Sequence, residues 1–430
     1  MLKVGLVIVA AAGLAGFSPI GWRTGDPAVE RCLVEYEAID SVVQQAGVAD
    51  SGYARIEGFP YFRIDRFLAS YDFTKFQPAQ KTEWIGRLVE ADKQARAIEI
   101  GNLPAYQRGV LFARLGRDPM QTVEACAETM RAFDHQKKEA HQALPPRAKV
   151  TGEDPAPARP TSWSKEQLAA LTAPRETSPD ASVFAPAAGL TMSPHAVKLV
   201  VETARTDALR IPQPKEDVTE RLIAAFAPVW VVNGRADDAL VLPEWREGKP
   251  ATSSEVAAAY TLVTNTKFKG QALLQISYVV WFKAQPVDGL IWRVTIGPDG
   301  RPLAYDSIRT DGSGYLLLAG AGLTAPGAVA IPEVPDGDRV AVTVDASTRT
   351  ISHVGAWSGQ TRNLYVLTQY DRLLRLYRSA GETHSLFGPE GVLIPGGGHA
   401  PRQWGHHKLP NGAYFDSPTL FEKPAAVASQ

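Results

Sequence analysis

Apolar residues recur along this chain with two different periods, and the change from one to the other divides it. In the stretch from Lys81 to Ile100, Trp84, Leu88, Ala91, Ala95 and Ile98 step by four, three, four and three, with Glu, Lys and Arg between them. That spacing predicts an amphipathic helix with one buried face. A second helix is predicted from Pro119 to Leu144, beyond the break at Pro104. Residues 28–144 therefore read as a helical domain.

From Pro145 to Pro194 the chain is rich in Pro, Ala, Ser and Thr. It reads as a linker or surface arm, with one or two turns of helix in SWSKEQLAALT and no interior strand, because proline cannot donate to a ladder.

Beyond residue 195 the period shortens to two. Trp292, Val294 and Ile296 alternate with Arg293 and Thr295 ahead of Pro298-Asp299-Gly300, the signature of a β-hairpin. GQALLQISYVVWFKAQP is long, aromatic and β-branched, as a central strand requires. DRVAVTVDAST and TRNLYVLTQY continue the alternation, a short helix is predicted in DVTERLIAAFAP and another over 371–378, and 384–422 reads as irregular. The fold class expected is α+β: an N-terminal helical domain (28–144), a Pro-rich linker (145–194) and a C-terminal antiparallel β-rich domain (195–425).

The first residues change the setting. MLKVGLVIVAAAGLAG carries Lys3, then an apolar run from Val4 to Ala15, the pattern of a secretory signal peptide over residues 1–18. Twelve helical residues span about 18 Å, short of the roughly 30 Å of a bilayer core. The mature chain is expected to be periplasmic or extracellular, without a transmembrane span. In that oxidising space the two cysteines, Cys32 and Cys126, are expected to form a disulfide.

The 430 residues carry 45 Lys+Arg against 46 Asp+Glu, a formal net charge of −1. With no long basic run to neutralise phosphates, nucleic acid is excluded as a partner class.

Four blocks carry a resemblance: GFPYFRIDRFLASY, DGLIWRVTIGPDGRPLAYDSI, HSLFGPEG, and RQWGHH with FDSP close behind. In them the chain resembles a family of uncharacterised exported proteins of Proteobacteria. The resemblance implies a shared fold and export, and it names no activity. Members of that family look as though they carry a His and a Cys-Gly-Cys-Tyr-His run after Tyr-Asp-Ser-Ile. Here Arg309 and TDGSGY stand there, and only Tyr315 is kept.

Candidate chemistry is sparse. Ser313 lies between glycines but follows a hairpin, whereas a nucleophile elbow joins a strand to a helix. No zinc signature or phosphate-binding glycine loop is present. In YFRIDRFLASY, Arg63, Asp65 and Arg66 stand among apolar residues. They suit either a buried ion pair at a helix start or guanidinium capture of an anionic ligand by Arg63 or Arg66.

The C-terminal stretch packs His399, His406 and His407 into nine residues, with His384 upstream, Trp404 between and Asp416 beyond. Trp404 suits an anchor or ligand contact. The four histidines with Asp416 form a candidate metal set only if three converge on one centre, which the spacing does not enforce.

Two readings follow. One is a non-catalytic exported envelope module that binds a partner protein, glycan or small ligand. The other is a metal-dependent enzyme or metal carrier that uses the C-terminal histidines, a metal ion being the only cofactor implied. The sequence does not decide between enzyme and binder.

Overall fold

The computed structural model describes residues 25–136 and 165–388, apart from 51, 57–58, 175, 235–239, 284–287, 311–313, 321–322, 324–327, 333, 360, 362 and 380–381. The expected signal peptide lies outside the described residues.

The N-terminal unit begins with α1 (Pro27–Ala46), capped by Asp26, whose carboxylate accepts from the Ala28 and Val29 amides, and ended by Gly47 at φ 65. A short hairpin follows, β1 (Ala54–Ile56) and β2 (Phe59–Ile64), then one turn of helix, α2 (Arg66–Ala69). The long α3 (Pro78–Asn102) has Trp84, Leu88, Ala91 and Ala95 on its buried side, as the spacing predicted. Two more helices, α4 (Ala105–Leu115) and α5 (Pro119–Gln136), complete the unit. Their common core joins Tyr36, Ile39, Phe62, Trp84, Ile85 and Met130. The expected helical character holds, with β1 and β2 added inside it.

The arm expected over 145–194 needs correction. Its helix is present as α6 (Lys165–Thr172), with Leu171 buried in the sheet's core. Ser182–Pro186, however, is a strand, β3, set between two others in the interior of the main sheet. Proline content averaged over the arm hid five residues of which only the last is proline. At the end of a strand that residue's missing N–H costs little. The sheet unit thus begins at 182, not 195.

Two helices precede the remaining strands, α7 (Pro194–Thr203) and α8 (Glu216–Phe226). Then come β4 (Val229–Asn233), β5 (Leu240–Arg246), β6 (Lys249–Ser253), β7 (Ala258–Phe268), β8 (Gln271–Phe282), β9 (Asp288–Ile296) and β10 (Pro302–Arg309). β11 (Leu316–Ala319), β12 (Val329–Ala330), β13 (Arg339–Asp345), β14 (Thr350–Trp357) and β15 (Asn363–Gln369) finish the sheet.

The order is β12-β11-β10-β9-β8-β7-β15-β3-β4-β13-β14, with β5 and β6 attached at β8, thirteen strands in one curled sheet. Antiparallel pairing dominates. Four pairs are parallel: β11 with β12, its neighbour in the chain, and β13 with β4 and β15 with both β3 and β7, which join strands distant in the chain. β8 is the central strand expected, buried at every position but its first.

The predicted hairpin joins β9 and β10. Gly300 sits at φ +81, and a Cβ there would come 2.0 Å from the Pro194 carbonyl oxygen, so the turn and the docking of α7 on it both need glycine.

The helix expected over 371–378 is a 3-10 turn, Tyr370–Leu374, followed by strand β16 (Leu376–Ser379), which pairs with β17 (Glu382–His384). Tyr370, Leu373 and Leu374 pack on the outer face of the sheet, and that burial overrides the local helical pattern.

This terminal segment also fastens the two units together. The Asn102 side-chain amide donates to the Leu374 carbonyl (2.8 Å) and accepts from the Thr383 hydroxyl (3.0 Å). Elsewhere on the seam Arg87 of α3 pairs with Asp207, Leu209 and Ile211 enter the helical core, and the Lys267 ammonium lies 3.2 Å from the Tyr71 ring centre.

Candidate functional site

The expected disulfide is present. Cys32 on α1 and Cys126 on α5 are bonded with their Cα atoms 5.4 Å apart, closing a loop across 94 positions. Among the described residues Cys32, Glu35 and Cys126 are the only His, Cys, Asp or Glu side chains whose ligand atoms converge as a group of three. The two sulfurs are bonded to each other and so are not available as thiolates.

Of the two readings of Arg63 the structure holds the buried ion pair: the side chain faces inward and not toward an external anion. Its side chain is 2% exposed, and it donates from Nη1 and Nη2 to both oxygens of Glu99 (2.8 and 2.7 Å) and from Nε to Asp92 (3.2 Å). Asp92 also accepts from Arg96 Nε (2.7 Å), and Arg96 reaches Asp40 (2.7 Å) and the Pro60 carbonyl (2.9 Å) with its plane over Tyr36. Asp40 in turn holds Arg55 through both oxygens. Glu99 takes a further bond from the Asp50 amide (2.9 Å).

Burial alone would raise the Asp40 pKa; Arg96 and Arg55 outweigh it and hold the carboxyl well below the usual carboxylate range. Burial, with Asp92 adding to it, pushes the Tyr36 phenol far up. Asp40, Arg63 and Arg96 thus keep their charges, and Tyr36 its proton, across the neutral range.

Arg66 opens α2, which Asp65 caps by accepting from the Leu68 amide (2.7 Å). Its side chain lies outside the description. So do His399, Trp404, His406, His407 and Asp416. His384 is described: its Nδ1 is 3.0 Å from the Ser385 carbonyl oxygen, and its ring meets Trp245 edge-on. No second histidine or carboxylate among the described residues joins it in a three-ligand group.

The sheet carries two charge clusters. Cross-strand neighbours Arg293 and Asp306 are paired and buried, and burial pushes the Asp306 carboxyl up against the opposing pull of Arg293. At the open end of the β9–β10 hairpin Asp288 accepts from Arg309 (2.7 Å), Arg349 (3.1 Å) and the Thr310 hydroxyl (3.0 Å). Arg309 is thus tied into a hairpin-end ion cluster, and Tyr315 packs on the outer face of the sheet.

One helix gathers three of the exposed large apolar side chains on a single face. Around α4 only Leu111 is buried, and it points into the helical core. At 100° per residue, Phe112, Ala105, Gly109, Ala113, Tyr106, Val110 and Arg114 succeed one another around the outward arc. All seven are exposed, Tyr106 to 82%, Phe112 to 53% and Val110 to 44%. Arg114 is the sole charge on that arc. A soluble helix ordinarily turns its charged face outward, so α4 is inverted.

The local spacing of this helix, over 105–115, does not announce this face. Apolar residues on both its sides blur the 3.6-residue period, and only the contrast with buried Leu111 reveals which side is out.

Among the described residues no helix is long and apolar enough to cross a membrane. Comparison of the chain with protein-family models, with curated proteins and with solved structures finds no match.

Proposed function

We propose that the protein is exported and serves in the cell envelope as a non-catalytic binding or assembly module, with the outward face of α4 as its contact surface. The observation that carries this is the exposed apolar arc of Tyr106, Val110 and Phe112 on a disulfide-tied unit whose inner charges are consumed in internal ion pairs. Contiguous apolar surface left to water marks a site of contact. Export draws its support from the apolar run Val4–Ala15, from the bonded cysteines, which suit an oxidising compartment, and from the motif blocks shared in resemblance with exported proteins.

The test is made in cells. Fractions of cytoplasm, periplasm, membrane and medium are treated with a thiol-reactive polyethylene glycol before and after reduction. The expected result is protein in an envelope or extracellular fraction whose thiols react only after reduction. A photo-crosslinking residue at Tyr106 should give an adduct, and one at exposed Glu220 on α8 should not. Cytoplasmic protein with free thiols, or equal crosslinking at both positions, removes the proposal.

A further inference from the structure

Among the described residues nothing covers the α4 arc, and Gly109 shows this most directly. Glycine inside a helix costs about 1 kcal/mol relative to alanine. A Cβ at Gly109 would meet nothing within 4 Å, so no internal packing requires its absence. With Ala105 and Ala113 it forms a shallow channel between the ridge of Phe112 and that of Tyr106 and Val110. Such a channel admits the backbone of another helix.

The neighbouring helix suggests whose. On α1, Glu30, Val34 and Glu37 are exposed and share a face at steps of four and three, with Val34 64% exposed. Val34 precedes Glu35, whose carboxylate holds Arg117 just past the end of α4 (2.7 Å). α1 and α4 also pack on each other, so both stripes belong to the same helical unit.

The two stripes match in spacing and sign. On α4, Tyr106, Val110 and Arg114 step by four, with an apolar centre and a cation at one end. On α1, Val34 is an apolar centre with a carboxylate at each end. Arg31, also exposed, leaves the α1 stripe acidic on balance, whereas α4 contains no acidic residue.

We infer that the surface formed by α1 and α4 is a self-association site, resting on the module reading above, in which α4 of each copy packs on α1 of the other. Val110 meets the second copy's Val34, and Arg114 meets Glu30 or Glu37. A two-fold axis makes this contact twice, as an isologous interface requires. The four helices close into a bundle with the apolar stripes inside.

Sedimentation equilibrium of the mature, disulfide-bonded chain tests this. The wild type should be dimeric at micromolar concentration. Val110→Glu, at a solvent-facing position, should retain the far-ultraviolet dichroism and melting temperature of the wild type and raise the dimer Kd by about a hundredfold, for one charge buried against an apolar partner.

Charge exchange gives the sharper result. R114E alone, and E30R with E37R, should each be monomeric under the same conditions. A mixture of the two proteins should form a one-to-one heterodimer, since both reciprocal contacts then pair opposite charges.

A wild type that remains monomeric at about 100 µM, a dimer indifferent to Val110→Glu, or charge variants that do not associate on mixing each overturn the proposal. If the wild-type monomer is instead retained on anionic vesicles or isolated envelope through the same face, and Val110→Glu abolishes retention, self-association fails while the module reading stands. A monomer with no such retention removes both.

Discussion

The helical unit and the sheet each bury charge, and they hold it differently. Around Arg63 and Arg96 every carboxylate has more than one donor: Asp92 binds both arginines, Glu99 binds two guanidinium nitrogens and the Asp50 amide, and Asp40 binds Arg96 and Arg55. In the sheet, Asp306 takes its hydrogen bonds from Arg293 alone through Oδ1, and its Oδ2 is buried without a partner. The outcome is visible in the carboxyls: Asp40 is held below its usual range, Asp306 above it. Desolvation acts on both; two arginines outweigh it at Asp40, and the single Arg293 does not at Asp306.

The largest way to break the comparison is to remove one member of the network. Arg63→Ala leaves Glu99 and part of Asp92 buried without compensation and should cost about 3–5 kcal/mol in chemical denaturation. A cost under about 1 kcal/mol would mean that the network relaxes or admits water, and the contrast with the sheet would weaken.

Replacing whole pairs should separate the regions next. Arg293→Met with Asp306→Leu removes a pair with one unmet oxygen and should be neutral or stabilising by about 1–4 kcal/mol. Arg63→Met with Glu99→Leu should destabilise instead, because Asp92 and the Asp50 amide lose partners at about 1–3 kcal/mol each. Equal signs in the two double variants would show that donor count is not what distinguishes them.

The smallest effect is in acid. Asp40 has a folded pKa below its unfolded value, so its contribution is fully present above the unfolded pKa of about 3.9 and is lost as pH falls through the folded one. Asp306 has the opposite shift. Its protonation begins above the unfolded value and favours the fold as pH drops toward 4. Hydrogen exchange between pH 6 and pH 3 should therefore show α1 and α3, which Asp40 ties together, losing protection before β9 and β10. Loss in the reverse order would contradict the assignment.

How much of this was legible follows residue by residue. The α3 stripe, the β9–β10 hairpin, the central β8 and the cysteine bridge could be read in advance, since each rests on local spacing or on a pair with no rival. β3 could not: a five-residue strand inside a proline-rich arm has no period long enough to count, and its partners β4 and β15 lie 47 and 181 residues onward, counted from Ser182 to Val229 and to Asn363. Arg63 was half legible. YFRIDRF announced a charge among apolar residues, but that Glu99 and Asp92 would take it depends on how α3 lies across β2. The candidate surface was hidden for a related reason, because Tyr106 and Leu111 look alike as residues and differ only in which one the core receives.

By itself the sequence determined the division into a helical part and a strand-rich part, and the local signals that begin or end elements: Asp26 before Pro27, Gly47 after α1, Gly300 in its hairpin. Those features follow from backbone preferences within a few residues of one another. Tertiary structure alone decided the parallel pairings of β13 with β4 and of β15 with β3 and β7, the inward turn of Arg63, and the outward turn of the apolar side of α4. Each of these is a competition for burial among segments far apart in the chain. Only the assembled fold shows which side chains won a place inside and which were left for another surface to cover.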